Sequence, residues 1–157
     1  MGYFVSFIPT AADEVGCFFD LAPVSSEDVV YDLGSGDGRL LIAAVERGAG
    51  RAVGVELNPA RVQESRDAAR KKGLDSRITF VEADLMDVDL SKATLVVAYL
   101  FSTASTALKP KLEAELRPGA RVVMESFPVH GWKPQQIKKL EHRTFYLYKM
   151  PPAIDPA

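Results

Sequence analysis

Short apolar runs alternate along the chain with longer stretches in which apolar and polar residues recur at helical spacing. Apolar runs of five or six residues are typical of strands buried in a parallel sheet, and the longer stretches are typical of helices that cover its faces. The pattern predicts strands over residues 29–33, 52–57, 77–81, 94–99 and 120–125. It predicts helices over residues 10–21, 38–47, 59–73 and 102–116, the last with a break near Pro110.

The run over residues 94–99 is apolar at nearly every position, which places that strand near the middle of the sheet. Residues 137–141 and 144–149 predict a final hairpin. Because strands and helices alternate before the hairpin, we expect an α/β fold with a Rossmann-like seven-stranded sheet. That sheet is mostly parallel with an antiparallel last strand, and helices lie on both of its faces. At 157 residues, the chain has the length of a single domain.

A glycine-rich loop follows the first predicted strand and opens the next helix. Its sequence from residue 31 to residue 39 is Tyr-Asp-Leu-Gly-Ser-Gly-Asp-Gly-Arg. Glycines in this position allow a tight turn and the close approach of the backbone to a ligand. Glu56 ends the second strand twenty residues after Gly36, where an acid in a nucleotide-binding sheet accepts hydrogen bonds from ribose hydroxyls. The loop and the acid together predict a nucleoside-containing ligand.

Charge separates the two cofactors that such a loop can hold. Asp32 and Asp37 would repel the pyrophosphate of a dinucleotide, and Arg39 replaces the third glycine of the dinucleotide motif. S-adenosylmethionine instead carries an ammonium and a sulfonium, which acids stabilise. The sequence therefore favours S-adenosylmethionine, with a dinucleotide or a purely structural turn as alternatives. Asp84, after the third strand, is placed to accept from an adenine amino group, with the Leu85 N–H reaching a ring nitrogen.

Composition narrows the range of partners. The net charge of −2 argues against a surface that binds nucleic acid, since such surfaces cluster Lys and Arg. Cys17 is the only cysteine, so an intramolecular disulfide is excluded and a reducing, cytoplasmic location fits best. No apolar run approaches the roughly 20 residues of a membrane span. We expect a monomer that acts without nucleic acid or membrane.

Several segments beyond the glycine loop resemble a known group of enzymes. They are Phe7 to Thr10, Val53 to Asn58, Leu108 to Leu112, Leu116 to Gly119, Gly131-Trp132 and Tyr146 to Tyr148. With residues 31–39, they resemble class I S-adenosylmethionine-dependent methyltransferases. Within that class the chain resembles the archaeal-type protein-lysine methyltransferases, which are related to eukaryotic mitochondrial lysine methyltransferases. Residues 124–126, Met-Glu-Ser, depart from that group, which affects the choice of substrate more than the chemistry.

The resemblance implies methyl transfer from S-adenosylmethionine to lysine ε-amino groups of proteins. It implies that residues 1–22 pack over the cofactor site, with Pro9 and Thr10 above the cofactor, and that the segment after the fourth strand lies beside the substrate. The predicted cofactor-binding residues are Pro9, Thr10, Asp32, Gly34, Ser35, Gly36, Gly38, Glu56, Leu57, Asp84, Leu85 and Tyr99.

The predicted catalytic residues are Tyr99 and Phe101, which follow the fourth strand and can line an apolar channel for a lysine stem. Both can instead be core residues. Glu125 is a further candidate for the pocket, whereas Trp132 is expected to pack against the end of the sheet. His130 and His142 are isolated, without metal-ligand spacing, so no metal is predicted.

Two other functions compete with lysine methylation. One keeps S-adenosylmethionine and changes the acceptor to RNA or a small molecule. Methylases of base or glutamine amino groups typically carry an Asn-Pro-Pro-Tyr or Asp-Pro-Pro-Tyr segment after the fourth strand. This chain has neither segment there, which argues against that activity. The other is a non-catalytic binding module, against which the intact glycine loop and Glu56 argue. No histidine or cysteine is placed as a base, so we expect water to take the lysine proton and the rate to rise with pH.

Overall fold

A computed structural model of the protein describes residues 12–155. Its helices are α1 (Ala12–Leu21), α2 (Arg39–Glu46), α3 (Pro59–Lys71) and α4 (Ser102–Glu115). Its strands are β1 (Val29–Leu33), β2 (Arg51–Glu56), β3 (Ile78–Glu82), β4 (Leu95–Ala98), β5 (Arg121–Glu125), β6 (Trp132–Lys133), β7 (Gln136–Leu140), β8 (Arg143–Lys149) and β9 (Ala153–Ile154). A short 3-10 turn covers Leu85–Asp87.

Seven of these strands form one sheet in the order β3-β2-β1-β4-β5-β8-β7. Strands β1 to β5 are parallel, and β8 is antiparallel to both β5 and β7. This confirms the predicted seven-stranded, mostly parallel sheet with an antiparallel last strand. It also confirms the central place of β4. The prediction missed the small sheet that β6 forms with β9, because strands of two residues carry no periodic pattern.

The predicted break in the fourth helix is wrong. Helix α4 runs through Pro110, although proline removes one helical hydrogen bond. Leu108 and Leu112, on either side of the proline, are fully buried. Pro110 itself lies on the exposed side, so packing of the opposite side keeps the helix continuous. Thr10, where the first helix was predicted to begin, lies outside the described residues.

Two hydrophobic clusters occupy the two faces of the sheet. One cluster joins α1, α2 and α3 to Val30, Val97 and Val123. The other joins α4 to residues that alternate with these along the same strands, such as Val96 and Val122. By this alternation, Asp32 and Glu125 lie on the face that α1 covers. Helix α1 packs on this face beside β8, where the rings of Phe18 and Phe145 meet edge to face at 5.1 Å. Among the described residues, no helix is long and apolar enough to cross a membrane.

The end of the sheet at which β1, β4 and β5 begin carries a closed polar cluster, here called the amino-terminal rim. Its members are Asp28, Thr94 and Arg121. Asp28 accepts hydrogen bonds from the Ser25 N–H at 2.8 Å, the Thr94 hydroxyl at 2.7 Å and the Arg121 guanidinium at 3.1 Å. Burial opposes ionisation of Asp28, but these donors hold its pKa below the ordinary value. The rim therefore contains a fully paired carboxylate.

Candidate functional site

The parallel strands end at the opposite side of the sheet, here called the carboxyl-terminal rim, and the glycine loop lies there. The N–H groups of Gly34 and Ser35 both donate to the Val55 carbonyl, at 2.8 and 3.0 Å. Gly34, Gly36 and Gly38 all have positive φ angles, of 89°, 57° and 82°. Only glycine adopts such angles without strain. The loop therefore turns sharply over the end of β2 before α2 begins.

Glu56 holds this loop against the end of β2. Its Oε1 accepts from the Gly36 N–H at 2.9 Å, and its Oε2 accepts from the Asn58 N–H at 3.0 Å. The twenty-residue spacing seen in the sequence thus brings the acid into direct contact with the glycine loop. Leu57, the next residue, exposes 44% of its surface at the same rim.

Two residues that support the loop were not recognised from the sequence. Ser65, fully buried in α3, donates from its hydroxyl to the Gly36 carbonyl at 2.9 Å. Gly54 leaves room for the loop, because a Cβ there would lie 2.8 Å from Ser35 Oγ and 2.6 Å from Leu41 Cδ1. A signal for Ser65 was present, since it occupies an apolar-spaced position between Val62 and Ala69.

Asp32, near the end of β1, is the buried acid that precedes the glycine loop. It exposes only 3% of its surface, and none of the ion pairs formed within residues 12–155 includes it. Burial, and then the charges of Glu56, Asp37 and Glu125, raise the pKa of Asp32 to about 8. Asp37 differs, because its carboxylate pairs with the Arg39 guanidinium at 3.0 Å. A buried acid of this kind is stabilised by a cationic ligand.

Asp84 begins the turn after β3. Its Oδ1 accepts from the Met86 N–H at 2.9 Å, which caps the 3-10 turn. The next residue, Leu85, is buried. Asp84 therefore has a structural role in its own loop, and its second carboxylate oxygen is the one left for a ligand.

Aromatic rings line the rim where β4 and β5 end. Tyr99 is half-buried and Phe101 exposes 41% of its surface. Their ring centroids lie 6.4 Å apart, and Phe101 lies 5.9 Å from Phe127. Neither Tyr99 nor Phe101 is a fully buried core residue. Phe127 was missed by the sequence analysis, because nothing in its local pattern shows that β5 ends beside β4.

A charged group adjoins Tyr99. The guanidinium of Arg143, from the start of β8, lies 5.0 Å from the centroid of the Tyr99 ring. It lies 3.0 Å from Glu125 Oε2 and 3.7 Å from Glu14 Oε1. Glu125 is only 1% exposed, and burial raises its pKa to about 7 although Arg143 lowers it. Sequence reasoning named Glu125 as a candidate and missed Arg143 and Glu14.

The remaining candidates divide between surface, core and undescribed segments. His130 and His142 are exposed. Trp132 is buried, packs edge to face on Tyr148 at 5.4 Å and donates to Glu113 at 3.2 Å, which confirms its predicted packing. Pro9 and Thr10 lie outside the described residues. Within the described part of the chain, no group of three His, Cys, Asp or Glu side chains is arranged to hold a metal ion.

The residues that build this rim lie within a segment that matches a known protein family. The family model described as the ANTKMT methyltransferase domain matches residues 32–136, about two thirds of the chain. The chain belongs to the ANTKMT methyltransferase family. The prediction of a methyltransferase is therefore confirmed, and the match runs from Asp32 through Tyr99 to Glu125 and beyond.

Two relatives of this methyltransferase differ in length. It is 42% identical over 149 residues to a protein-lysine N-methyltransferase of Saccharolobus islandicus (strain REY15A), covering 92% of each chain. It is 41% identical over 105 residues to the adenine nucleotide translocase lysine N-methyltransferase of Mus musculus, covering 67% of this chain and 46% of that protein. The methyltransferase thus spans about half the length of the mouse relative.

One solved structure is similar over nearly the whole methyltransferase. It is an RNA methyltransferase from Salinibacter ruber in complex with S-adenosyl-L-homocysteine. It superposes with a TM-score of 0.90 at 37% identity, covering 96% of this chain and 98% of that one. This similarity supports the fold and the family assignment together.

Proposed function

We propose that this methyltransferase transfers a methyl group from S-adenosylmethionine to the ε-amino group of lysine in proteins. The observation that carries the acceptor is the similarity, over 92% of both chains, to a protein named as a protein-lysine N-methyltransferase. The mouse relative, also named for lysine methylation, supports the same acceptor.

The carboxyl-terminal rim fits the methyl donor. S-adenosylmethionine supplies an electrophilic methyl carbon on a positively charged sulfur. Asp32 is buried and forms no ion pair within the described residues, so it offers a countercharge to such a ligand. The loop from Gly34 to Gly38 brings backbone groups close to the ligand, and Glu56 offers its carboxylate to ribose hydroxyls. Leu57, Asp84 and Leu85 would border the adenine.

The aromatic side of the rim fits the acceptor. Tyr99, Phe101 and Phe127 present apolar ring surface at the ends of β4 and β5. The stem of a lysine can pack on such rings while its amine reaches the methyl donor. An ordinary lysine amine has a pKa of about 10.4, and only its neutral form is nucleophilic. Because apolar surroundings disfavour the ammonium, these rings lower the pKa of the bound amine and raise its reactive fraction.

RNA is the second candidate acceptor. The observation that favours it is the name of the Salinibacter ruber protein, an RNA methyltransferase 37% identical to this chain. Charge argues the other way. The rim carries the carboxylates of Glu56 and Asp84, which would repel RNA phosphates, and the net charge of the whole chain is −2.

An acceptor competition separates these functions. The protein is incubated with methyl-labelled S-adenosylmethionine and a cell extract divided into protein, RNA and small-molecule fractions. Labelled protein is then digested to single amino acids, and labelled RNA to nucleosides. We expect the label on lysine. Label on nucleosides, or on arginine or glutamine, would replace the lysine proposal, and no transfer to any fraction would favour a binding module.

We also propose that the protein acts as a single-domain cytoplasmic monomer, without nucleic acid or membrane as a partner. A single buried cysteine, Cys17, suits a reducing compartment. Light scattering coupled to gel filtration measures the oligomeric state, and a mass near twice 17.1 kDa would contradict the monomer.

A further inference from the structure

Arg143 lies at the centre of a cluster that the methyl donor does not explain. Its guanidinium faces three groups from three different elements. These are Glu14 on α1, the Tyr99 ring just beyond β4, and Glu125 at the end of β5. The side chain of Arg143 is 26% exposed, whereas that of Glu125 is 1% exposed. The cluster is therefore largely buried under the rim on which Tyr99 lies.

The sheet register fixes the position of this guanidinium. Strand β8 is antiparallel to β5, with Phe145 opposite Glu125. Arg143 is the first residue of β8 and pairs with Leu140 of β7. Because β8 begins where the parallel strands end, its first side chain lies at the carboxyl-terminal rim. Arg143 is thus held by backbone pairing in a strand, while Tyr99 lies one residue beyond β4.

The charges of Glu125 and Arg143 explain why the guanidinium is held beside Tyr99. Glu125 is buried and needs a countercharge, and Arg143 is always charged. Their contact of 3.0 Å restricts the rotamers of a long side chain. The restricted guanidinium then lies over the Tyr99 ring within cation–π distance. Phe101 lies beside the same ring, at 6.4 Å between centroids.

We propose that Arg143, clamped by Glu125, is a positioning residue that holds the Tyr99 ring in the orientation that receives the acceptor amine. The proposal rests on the proposed function for the place of the acceptor. The contact between Arg143, Glu125 and Tyr99 is a property of the free protein and does not depend on the proposed function.

A simpler role for Arg143 is to neutralise Glu125 and nothing more. The two roles diverge in a double variant. Arg143→Met alone leaves a buried carboxylate without its countercharge, so either role predicts a loss of stability. Arg143→Met combined with Glu125→Gln removes both charges of the 3.0 Å pair, and the remaining acid, Glu14, is 17% exposed and so in contact with solvent. If Arg143 only neutralises Glu125, the double variant regains stability and activity together. If Arg143 positions Tyr99, it regains stability alone.

The first measurement follows Tyr99 directly in the free protein. Ring-labelled tyrosine and NMR report the Tyr99 ring signal and its flip rate in wild type, Arg143→Met and the double variant. We expect a slow ring in wild type and a faster ring with a shifted signal in both variants. A Tyr99 signal that is the same in all three proteins would overturn the proposal, whatever the acceptor is.

The second measurement is the initial rate of methyl transfer to a fixed mixed-protein preparation at saturating S-adenosylmethionine. We expect Arg143→Met to lower the rate roughly 10- to 100-fold, the cost typical of a misplaced reacting group. The double variant should melt near the wild-type temperature and stay equally slow. Recovery of the rate in the double variant would show that Arg143 only neutralises Glu125 and does not position Tyr99.

Arg121→Met is the matched control. Arg121 pairs with Asp28 at 3.1 Å, and the two side chains are 23% and 13% exposed, so this ion pair is also largely buried. It lies at the amino-terminal rim, away from Tyr99. We expect Arg121→Met to lower the melting temperature without changing the Tyr99 signal or the rate. If wild type itself methylates no protein, the proposed function fails, and the NMR result still decides the clamp.

Discussion

Asp28, just before β1, and Asp32, near the end of β1, have opposite environments. Asp28, at the amino-terminal rim, receives hydrogen bonds from Ser25, Thr94 and Arg121, and its pKa is lowered. Asp32, at the carboxyl-terminal rim, is more buried, has no cationic partner among the described residues, and its pKa is raised to about 8. The same side chain therefore stabilises the fold at one end of the strand and destabilises it at the other.

This difference distinguishes a structural acid from a functional one. A carboxylate kept for stability is paired within the protein, whereas a carboxylate kept for binding is left for the ligand to pair. At the carboxyl-terminal rim, the buried Asp32 lowers the stability of the fold and leaves a carboxylate for a ligand to pair. Substitutions at the two rims should accordingly have opposite profiles of affinity and stability.

The largest expected effect is that of Asp32→Asn on methyl-donor affinity. Removal of the countercharge should weaken S-adenosylmethionine binding by about 2–4 kcal/mol at pH 8, the range for breaking a buried charge pair. The melting temperature of the free variant should rise at the same pH, because an uncompensated buried charge is gone. Titration calorimetry and thermal melts measure the two quantities. Unchanged affinity would remove Asp32 from the site.

Next in size is Glu56→Ala. Glu56 accepts the Gly36 and Asn58 N–H groups, so its loss both loosens the loop and removes the expected ribose contact. We expect affinity to fall by about 1.5–3 kcal/mol, or roughly 10- to 150-fold. Glu82→Ala is the control, since Glu82 is the exposed register partner of Glu56 on β3. Equal losses for both variants would argue against a specific contact.

Asp28→Asn should lower stability and leave methyl-donor affinity unchanged, with a smaller effect than the two substitutions above. It leaves the Arg121 guanidinium and the Thr94 hydroxyl with a weaker partner. We expect the free energy of unfolding to fall by about 1–2 kcal/mol, with methyl-donor affinity unchanged. Urea denaturation with a parallel binding titration measures both. A clear loss of affinity would mean that the two rims are not independent.

A pH dependence of stability tests the raised pKa of Asp32 directly. Asp32 titrates near 3.8 when unfolded and near 8 when folded, so between these values the folded protein holds a proton that the unfolded chain lacks. Stability is therefore lost as pH rises through this window. Glu125, with its pKa raised to about 7, acts in the same direction. We expect the wild-type melting temperature to fall from pH 5.5 to 8.5, and to fall less in Asp32→Asn. Equal slopes in the two proteins would contradict the raised pKa.

The arrangement of the glycine loop and Glu56 was predictable from the sequence, because the residues that form it lie close together along the chain. Strand β1, the glycine loop and Glu56 fall within one stretch of chain, and the loop chemistry requires glycine and acid at set spacings. The sheet was likewise predictable, since strands buried on both faces read as apolar runs. Pro110 misled because the packing of Leu108 and Leu112 outweighs the local cost of a proline.

The surroundings of Tyr99 were predictable only in part, because they depend on the order of the strands in the sheet. Tyr99 follows an obvious strand, but Arg143 reaches it because β8 inserts between β5 and β7. Nothing near residue 143 in the sequence signals that insertion. Phe127 and Glu14 lie in two other segments of the chain, and their contacts were equally unpredictable from the local sequence. Contacts between distant segments carry no local signature.

The strand order has a consequence for folding and synthesis. β8 is the last strand to join the main sheet, and it pairs with β5 rather than with an outer strand alone. Pairings between distant segments form slowly, because chain entropy is lost before they stabilise the fold. A growing chain emerging from the ribosome therefore carries the glycine loop and Glu56 long before Arg143 reaches Tyr99. The contact of Arg143 with Tyr99 can therefore form only after β8 has been made, later than the contacts within the glycine loop.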